Sequence, residues 1–212
     1  MKFTNKQGII IVDKMILAIK ENRDYLSEID GAIGDGDHGI NMSKGFMIAE
    51  KELKDQDLNM SQGLEQLGKV LMSKIGGSMG PLYGTFFCKM AEASKQYEEI
   101  DAQVFQEMLT NAYTGITDIS PAKPGDKTLI DVLYPALDTY KKEITNKAGF
   151  LESLKVMAEA AEAGLESTKD MIAKLGRASR LGERSRGYQD AGATSCFILL
   201  NTMAETIKKM AE

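Results

Sequence analysis

Apolar residues recur along this chain every three or four positions, with charged residues in the gaps. In the first such run, residues 7–25, the apolar stripe is Ile10, Ile11, Met15, Ile16 and Ile19, with Leu26 just beyond. The same period runs through 39–54, 60–75, 80–97, 101–117, 127–143, 149–168 and 190–210, which predicts eight helices. Methionines at helical spacing, such as Met42, Met47, Met72 and Met90, read as core filler. The segment ENRDYLSEID before Gly31 reads as the frayed end of the first helix. Strand-like alternation with β-branched bias is nearly absent, so the chain reads as all-α.

The breaks between runs carry helix punctuation. Residues 57–61 (DLNMS) end one helix and cap the next, and Asp126 after Pro124-Gly125 reads as an N-cap. Pro135 falls inside the sixth run and predicts a kink. With no linker, composition shift or fixed-period repeat, residues 1–212 read as one domain. Four connections are rich in glycine: 30–39, 76–80 (GGSMG), 120–128 (SPAKPGDKT) and 176–192 (GRASRLGERSRGYQDAG). They follow the first, third, fifth and seventh helices. In an up-down bundle, alternate connections share an end. Topology therefore collects the polar, flexible segments at one end of the bundle.

Composition narrows the class of molecule. The chain has 212 residues, 43% of them hydrophobic, a size that supports a real core. No apolar run reaches the ~18 residues of a membrane span, and Asp13 and Lys14 interrupt the N-terminal apolar stretch too early for a signal sequence. A cytoplasmic location is expected, with no membrane partner. Cys88 and Cys196 are isolated within apolar segments and read as buried free thiols of a reducing compartment. A net charge of −5 and the lack of Trp argue against a nucleic-acid partner.

The densest chemistry lies in Asp30–Gly39, DGAIGDGDHG. Residues 34–39 satisfy the G-x-G-x-x-G spelling of a dinucleotide loop, but a helix precedes them instead of a strand, and their aspartates would repel a pyrophosphate. No P-loop spelling occurs. An EF-hand fails on register, since from Asp35 the glycine position falls on Ile40. Two readings remain for Asp30, Asp35 and Asp37: a solvated acidic turn, or a hard-oxygen site for Mg²⁺. The second is favoured, because Gly34 and Gly36 allow Asp35 and Asp37 to turn toward one point that Asp30 reaches from the helix end. A cation there would reverse the electrostatic objection to phosphate, and the helix starting near His38–Gly39 offers free N–H groups. His38, the one histidine, is either a structural residue or a ligand contact, and a phosphohistidine stays open.

Four stretches together resemble the L subunit family of bacterial dihydroxyacetone kinases: DGAIGDGDHGINM (30–42), GGSMGPLYGTFF (76–87), KPGDKTLIDVLYP (123–135) and GRASRLGERSRGYQDAGATS (176–195). The likeness spans nearly the whole chain, in order, and is greatest to the phosphotransferase-system-dependent type. It implies an eight-helix antiparallel barrel with the nucleotide at one end. In the family, the aspartates matching Asp30, Asp35 and Asp37 hold two Mg²⁺ ions. Residues matching His38, Gly39, Ile40 and Asn41 lie at the phosphates, and those matching Gly77, Ser78 and Met79 lie along the nucleotide. Thr128, Leu129, Arg177, Asp190, Ala191 and Gly192 match further pocket positions.

The resemblance also implies a mechanism and partners. ADP stays bound as a coenzyme, is rephosphorylated in place by a phosphotransferase-system phosphocarrier (M) subunit, and passes its γ-phosphoryl to dihydroxyacetone on a K subunit. No protein nucleophile is then required. Alternatives are a paralogue serving another acceptor and a regulatory module binding a transcription regulator; a homodimer is compatible with either. Two positions depart from the family pattern, Ser120-Pro121-Ala122 and Asp190-Ala191-Gly192-Ala193. Of Arg177, Arg180, Arg184 and Arg186, Arg177 is assigned to the pocket. The other three read as solvated or as a surface for partner subunits.

Overall fold

The computed structural model describes residues 1–211. Nine α-helices, among the described residues, carry the fold: α1 (Ile9–Glu21), α2 (Arg23–Ile33), α3 (His38–Leu53), α4 (Met60–Lys74), α5 (Met79–Ser94), α6 (Ala102–Ile119), α7 (Ile130–Thr145), α8 (Phe150–Ser167) and α9 (Ala191–Lys209). Among the described residues the only pairing of strands is a two-residue antiparallel contact, Phe3 opposite Ile100 and Thr4 opposite Glu99. From α3 to α9 each helix packs on the next, α9 packs on α1, and α1 packs on α3, so eight helices close a ring around the core. The eighth connection is the long segment between α8 and α9, which contains two 3₁₀ stretches, Thr168–Asp170 and Ala178–Ser185.

The ninth helix corrects the expectation of eight. Residues 23–33 are a separate helix and not a frayed end. The chain leaves helical geometry at Asn22 (φ −95°, ψ 11°), whose side chain and N–H both turn back to the Ala18 carbonyl. Leu26 and Ile33 are buried where α2 lies on α3 and α9. The last turns of α2 carry Asp30 toward the acidic loop.

Other expectations divide by their physical cause. Asn59 caps α4 in a reciprocal capping box with Gln62. Asp126 does not cap α7, which begins only at Ile130, because Lys127 sits at φ +61° and interrupts the helix. Asp126 instead accepts from Lys123 N and pairs with Lys174 at 3.0 Å. α7 runs unbroken across Pro135. Met42 and Met90 are core residues, whereas Met47 and Met72 are exposed, as is Ile10 of the first stripe. Aromatic rings fill the centre, with Phe86 and Phe87 edge to face at 5.0 Å and Phe105 on Tyr140 at 5.5 Å. Cys196 is buried and Cys88 half-buried, both free. No helix among the described residues is long and apolar enough to cross a membrane.

The direction of the helices positions the site. α3, α5, α7 and α9 all start at the end of the ring where the four glycine-rich segments lie. Four helix N-termini, each with a partial positive charge, therefore converge there; α3, α5 and α9 keep unpaired first-turn N–H groups, whereas those of α7 are met by Thr128 and Leu129.

Candidate functional site

A cavity of about 510 Å³ opens at that end, lined by residues from all four glycine-rich segments. Ile33, Leu82, Ile116, Ile130 and Leu175 give it an apolar part, and the acidic loop gives it a polar mouth. That combination of apolar wall and few convergent polar groups is typical of small-molecule sites.

Carboxylate oxygens of Asp30, Asp35 and Asp37 lie within 4.8 Å of one another. Two glycines make this possible in different ways. Gly36 has φ +75°, which turns the loop between Asp35 and Asp37. Gly34 has no room for a Cβ, because the Asp30 carboxylate occupies that space. Asp30 Oδ2 also accepts from His38 N at 3.3 Å, tying the end of α2 to the start of α3. The Arg177 guanidinium lies directly on Asp35 and 3.8 Å from Asp37. The protein's own cation thus rests where the acidic cluster concentrates negative charge, and the all-oxygen donor set suits a hard divalent ion. By both observations the residues present fit Mg²⁺.

The cavity brings together most of the residues expected from sequence. Asp30, Asp35, Asp37, His38, Asn41, Gly77, Ser78, Met79, Thr128, Leu129, Arg177, Asp190, Ala191 and Gly192 all line it. Gly39 and Ile40 do not. Ile40 points its side chain to solvent, at 49% exposure. Gly39 faces α2, where a Cβ would overlap the Arg23 carbonyl oxygen. Both stand in the first turn of α3, so what they can offer a ligand is main-chain N–H. The divergent Ser120, Pro121 and Ala122 also line the cavity. Of the remaining arginines, Arg180 stays near Asp35 in an adjoining hollow, while Arg186 turns to Glu183 and the Asp170 carbonyl.

Burial sets the protonation of two lining residues. It pushes the His38 imidazole down to about 4, opposed by the charge of Asp30. It pushes the Asp190 carboxyl up to about 6, opposed by a hydrogen bond from Ala193 N (2.7 Å) and by the Lys127 ammonium. Asp190 is the N-cap of α9.

Four residues that no sequence pattern singles out build the frame. Lys127 is buried, and its ammonium donates to the carbonyls of Ser185 (2.5 Å), Tyr188 (2.7 Å) and Met171 (3.3 Å). Its three N–H bonds fasten the segment that carries Arg177. Burial lowers its pKa. Buried Asp131 accepts from Gly125 N (2.5 Å) and Thr128 N (2.7 Å), holding the loop before α7. Tyr83 of α5 and Ser195 of α9 meet at 2.6 Å, and Ser195 Oγ lies 2.8 Å from His38 Nε2. All four fall inside the longer stretches that carry the family resemblance, but every one of these frame contacts except Asp131's joins distant positions, which spacing does not reveal.

Comparison with known proteins agrees with this architecture. The DAK2 domain family matches residues 32–205, and the chain belongs to that family. At full subunit length it is 38% identical, over 94% of this chain and 93% of the relative, to the ADP-binding subunit DhaL of PEP-dependent dihydroxyacetone kinase 2 from Listeria innocua. The corresponding subunit of Escherichia coli K12 is 36% identical over 88% of this chain and 89% of that one. Among solved structures, the dihydroxyacetone kinase of C. freundii superposes with a TM-score of 0.73 at 24% identity. That likeness covers 96% of this chain and 35% of the larger protein. A second structure of that kinase, in complex with AMP-PNP and Mg²⁺, gives a TM-score of 0.69 at 23% identity. These two establish the shared fold.

Proposed function

We propose that the chain is the ADP/ATP-binding subunit of a PEP-dependent dihydroxyacetone kinase acting in the cytoplasm. ADP with two Mg²⁺ ions is its resident coenzyme. A phosphotransferase-system M subunit rephosphorylates the ADP in place, and the γ-phosphoryl passes to dihydroxyacetone bound on a K subunit. The observation that carries this reading is the convergence of three aspartates and four helix N-termini on one cavity with an apolar wall. The names of the full-length relatives support the ADP-binding role, and the AMP-PNP and Mg²⁺ complex of the C. freundii kinase supports the metal.

Roles follow from chemistry. Asp30, Asp35 and Asp37 hold the Mg²⁺ ions, which when bound supply charge neutralisation and alignment for the phosphates. Main-chain N–H groups of Gly39 and Ile40 at the start of α3 and of Gly77–Met79 at the start of α5 meet phosphate oxygens, with His38 and Asn41 beside them. Arg177, which pairs with Asp35 and Asp37 here, would offer its guanidinium to phosphate where a cation held those carboxylates. Leu129, Ile130, Leu82 and Ile116 receive the base against apolar surface, with Thr128 and Asp190–Gly192 at its edge. No side chain of the cavity is asked to act as a nucleophile, so His38 is a contact and not a phosphoryl carrier.

The test is direct. Protein purified with Mg²⁺ and then denatured should release about one equivalent of ADP into the supernatant. Asp35→Asn should lose both the ion and the nucleotide while its circular dichroism stays unchanged. Full nucleotide retention by that variant would refute the metal assignment.

A further inference from the structure

We propose that Tyr83 and Ser195 are positioning residues that hold the neutral His38 ring with its proton on Nε2, so that Nδ1 meets the cavity as a lone-pair acceptor. The argument is a proton count. Three short contacts stand in series: His38 Nε2 to Ser195 Oγ at 2.8 Å, Ser195 Oγ to Tyr83 Oη at 2.6 Å, and Tyr83 Oη to the Gly192 carbonyl at 3.0 Å. Each needs one hydrogen between its heavy atoms. The two hydroxyls supply one each, and the Gly192 carbonyl supplies none. The third hydrogen must come from Nε2.

The opposite tautomer leaves one of these contacts without a hydrogen. With Nε2 bare, the Ser195 proton must go to the ring. The 2.6 Å contact must then take the Tyr83 proton, and the Gly192 carbonyl receives nothing from Tyr83. Ser195 Oγ also lies 3.1 Å from the Ala191 carbonyl, a second acceptor that competes for its proton and further disfavours donation to the ring. Tyr83 and Ser195 are fully enclosed, so water does not replace a missing partner.

The other ring nitrogen is left to the cavity. Nε2 is the only His38 side-chain atom with a partner, and among the described residues the one sealed, unpartnered side-chain atom is Ser27 Oγ. Nδ1 is therefore accessible, and the space that His38 lines is the cavity. A bare Nδ1 repels phosphate oxygen and accepts from a hydrogen-bond donor such as water. It thus gives His38 a role distinct from that of the neighbouring N–H groups. This role rests on the nucleotide–metal reading of the cavity, while the position of the proton does not.

Because the chain has a single histidine, labelling histidine with ¹⁵N and recording long-range ¹H–¹⁵N correlations of the full chain at pH 8 reads this ring alone. The expected spectrum is one tautomer with the proton on Nε2. Ser195→Ala should release the ring into a mixture of both tautomers, and Tyr83→Phe should do so in part, since it frees the Ser195 proton. Adding ADP with Mg²⁺ should move the Nδ1 signal and leave Nε2 nearly fixed. A proton on Nδ1 in the unsubstituted protein overturns the proposal. So does an unchanged tautomer in Ser195→Ala, or in Tyr83→Phe should the first variant not fold. A ring that ignores ADP and Mg²⁺ would count against the nucleotide site, with the proton already assigned by the first spectrum.

Discussion

At the end of the barrel away from the cavity, α4 starts at Asn59, whose side chain accepts from Gln62 N, and α6 starts at Asp101, which accepts from Gln103 and Val104 N. At the cavity end, α3 and α5 start at Asp37 and Ser78, residue types equally suited to capping, and neither side chain caps its helix. The far end uses its polar groups on its own backbone. There Asn5, Ser61 and Ser94 close a buried cluster of mutual hydrogen bonds. At the cavity end α9 is capped by Asp190, but α3 and α5 keep first-turn N–H groups that their own Asp37 and Ser78 side chains do not cap, and the frame around them (Lys127, Asp131, Tyr83, Ser195) is saturated instead. Capping worth ~1 kcal/mol per helix is forgone where a ligand would use the same atoms.

The frame offers the most severe way to break this contrast. Lys127→Met leaves the Met171, Ser185 and Tyr188 carbonyls without their donor and should cost about 4 kcal/mol. Urea denaturation should show the loss, with hydrogen exchange accelerated first in residues 171–190. A loss confined to nucleotide binding, with stability intact, would mean that the ammonium belongs to the ligand and not to the frame.

Asp190 tests the buried side of the site through pH. Its carboxyl is raised from 3.8 to about 6 in the folded protein, so between these values the folded state binds the extra proton. Stability of the metal-free protein should therefore fall as pH rises from about 4 to 6 and level off above, by up to about 3 kcal/mol. Asp190→Asn keeps an N-cap for α9 and should remove that slope. Parallel stability–pH curves for the two proteins would contradict the burial.

The two cap types give the smallest and most pointed comparison. Asn59→Ala should lose about 1 kcal/mol of stability with nucleotide retention unchanged. Ser78→Ala should stay within ~0.5 kcal/mol and weaken retention. Equal stability losses would erase the distinction between the two ends.

How far the sequence went depends on the range of the interaction. Helices with their own stripe and cap, such as α4 and α6, were legible, and so was the up-down logic that gathers four glycine-rich segments at one end. α2 was misread because the break at Asn22 is marked by no glycine or proline, so its residues read as a continuation of α1. The start of α7 was misplaced because Asp126 looks like a cap while the positive φ of Lys127 is not written in its residue type. Asp30, Asp35 and Asp37 stand close in sequence and could be grouped by eye. His38, Tyr83 and Ser195 meet only because α3, α5 and α9 begin at the same end, so their triad had no sequence signature.

Gly39 lines no part of the cavity, yet it governs the distance between the carboxylates that do. Its missing Cβ lets the start of α3, which follows directly on Asp37, sit against the Arg23 carbonyl of α2, the helix that carries Asp30. Any larger residue would wedge the two helices apart and open the triangle of aspartates with no acidic residue changed. On the proposed reading of the aspartates as metal ligands, this glycine is as informative as the acids when related chains are sorted into those able to hold an ion and those not. A chain with all three acids but a side chain at this position should be counted among the latter.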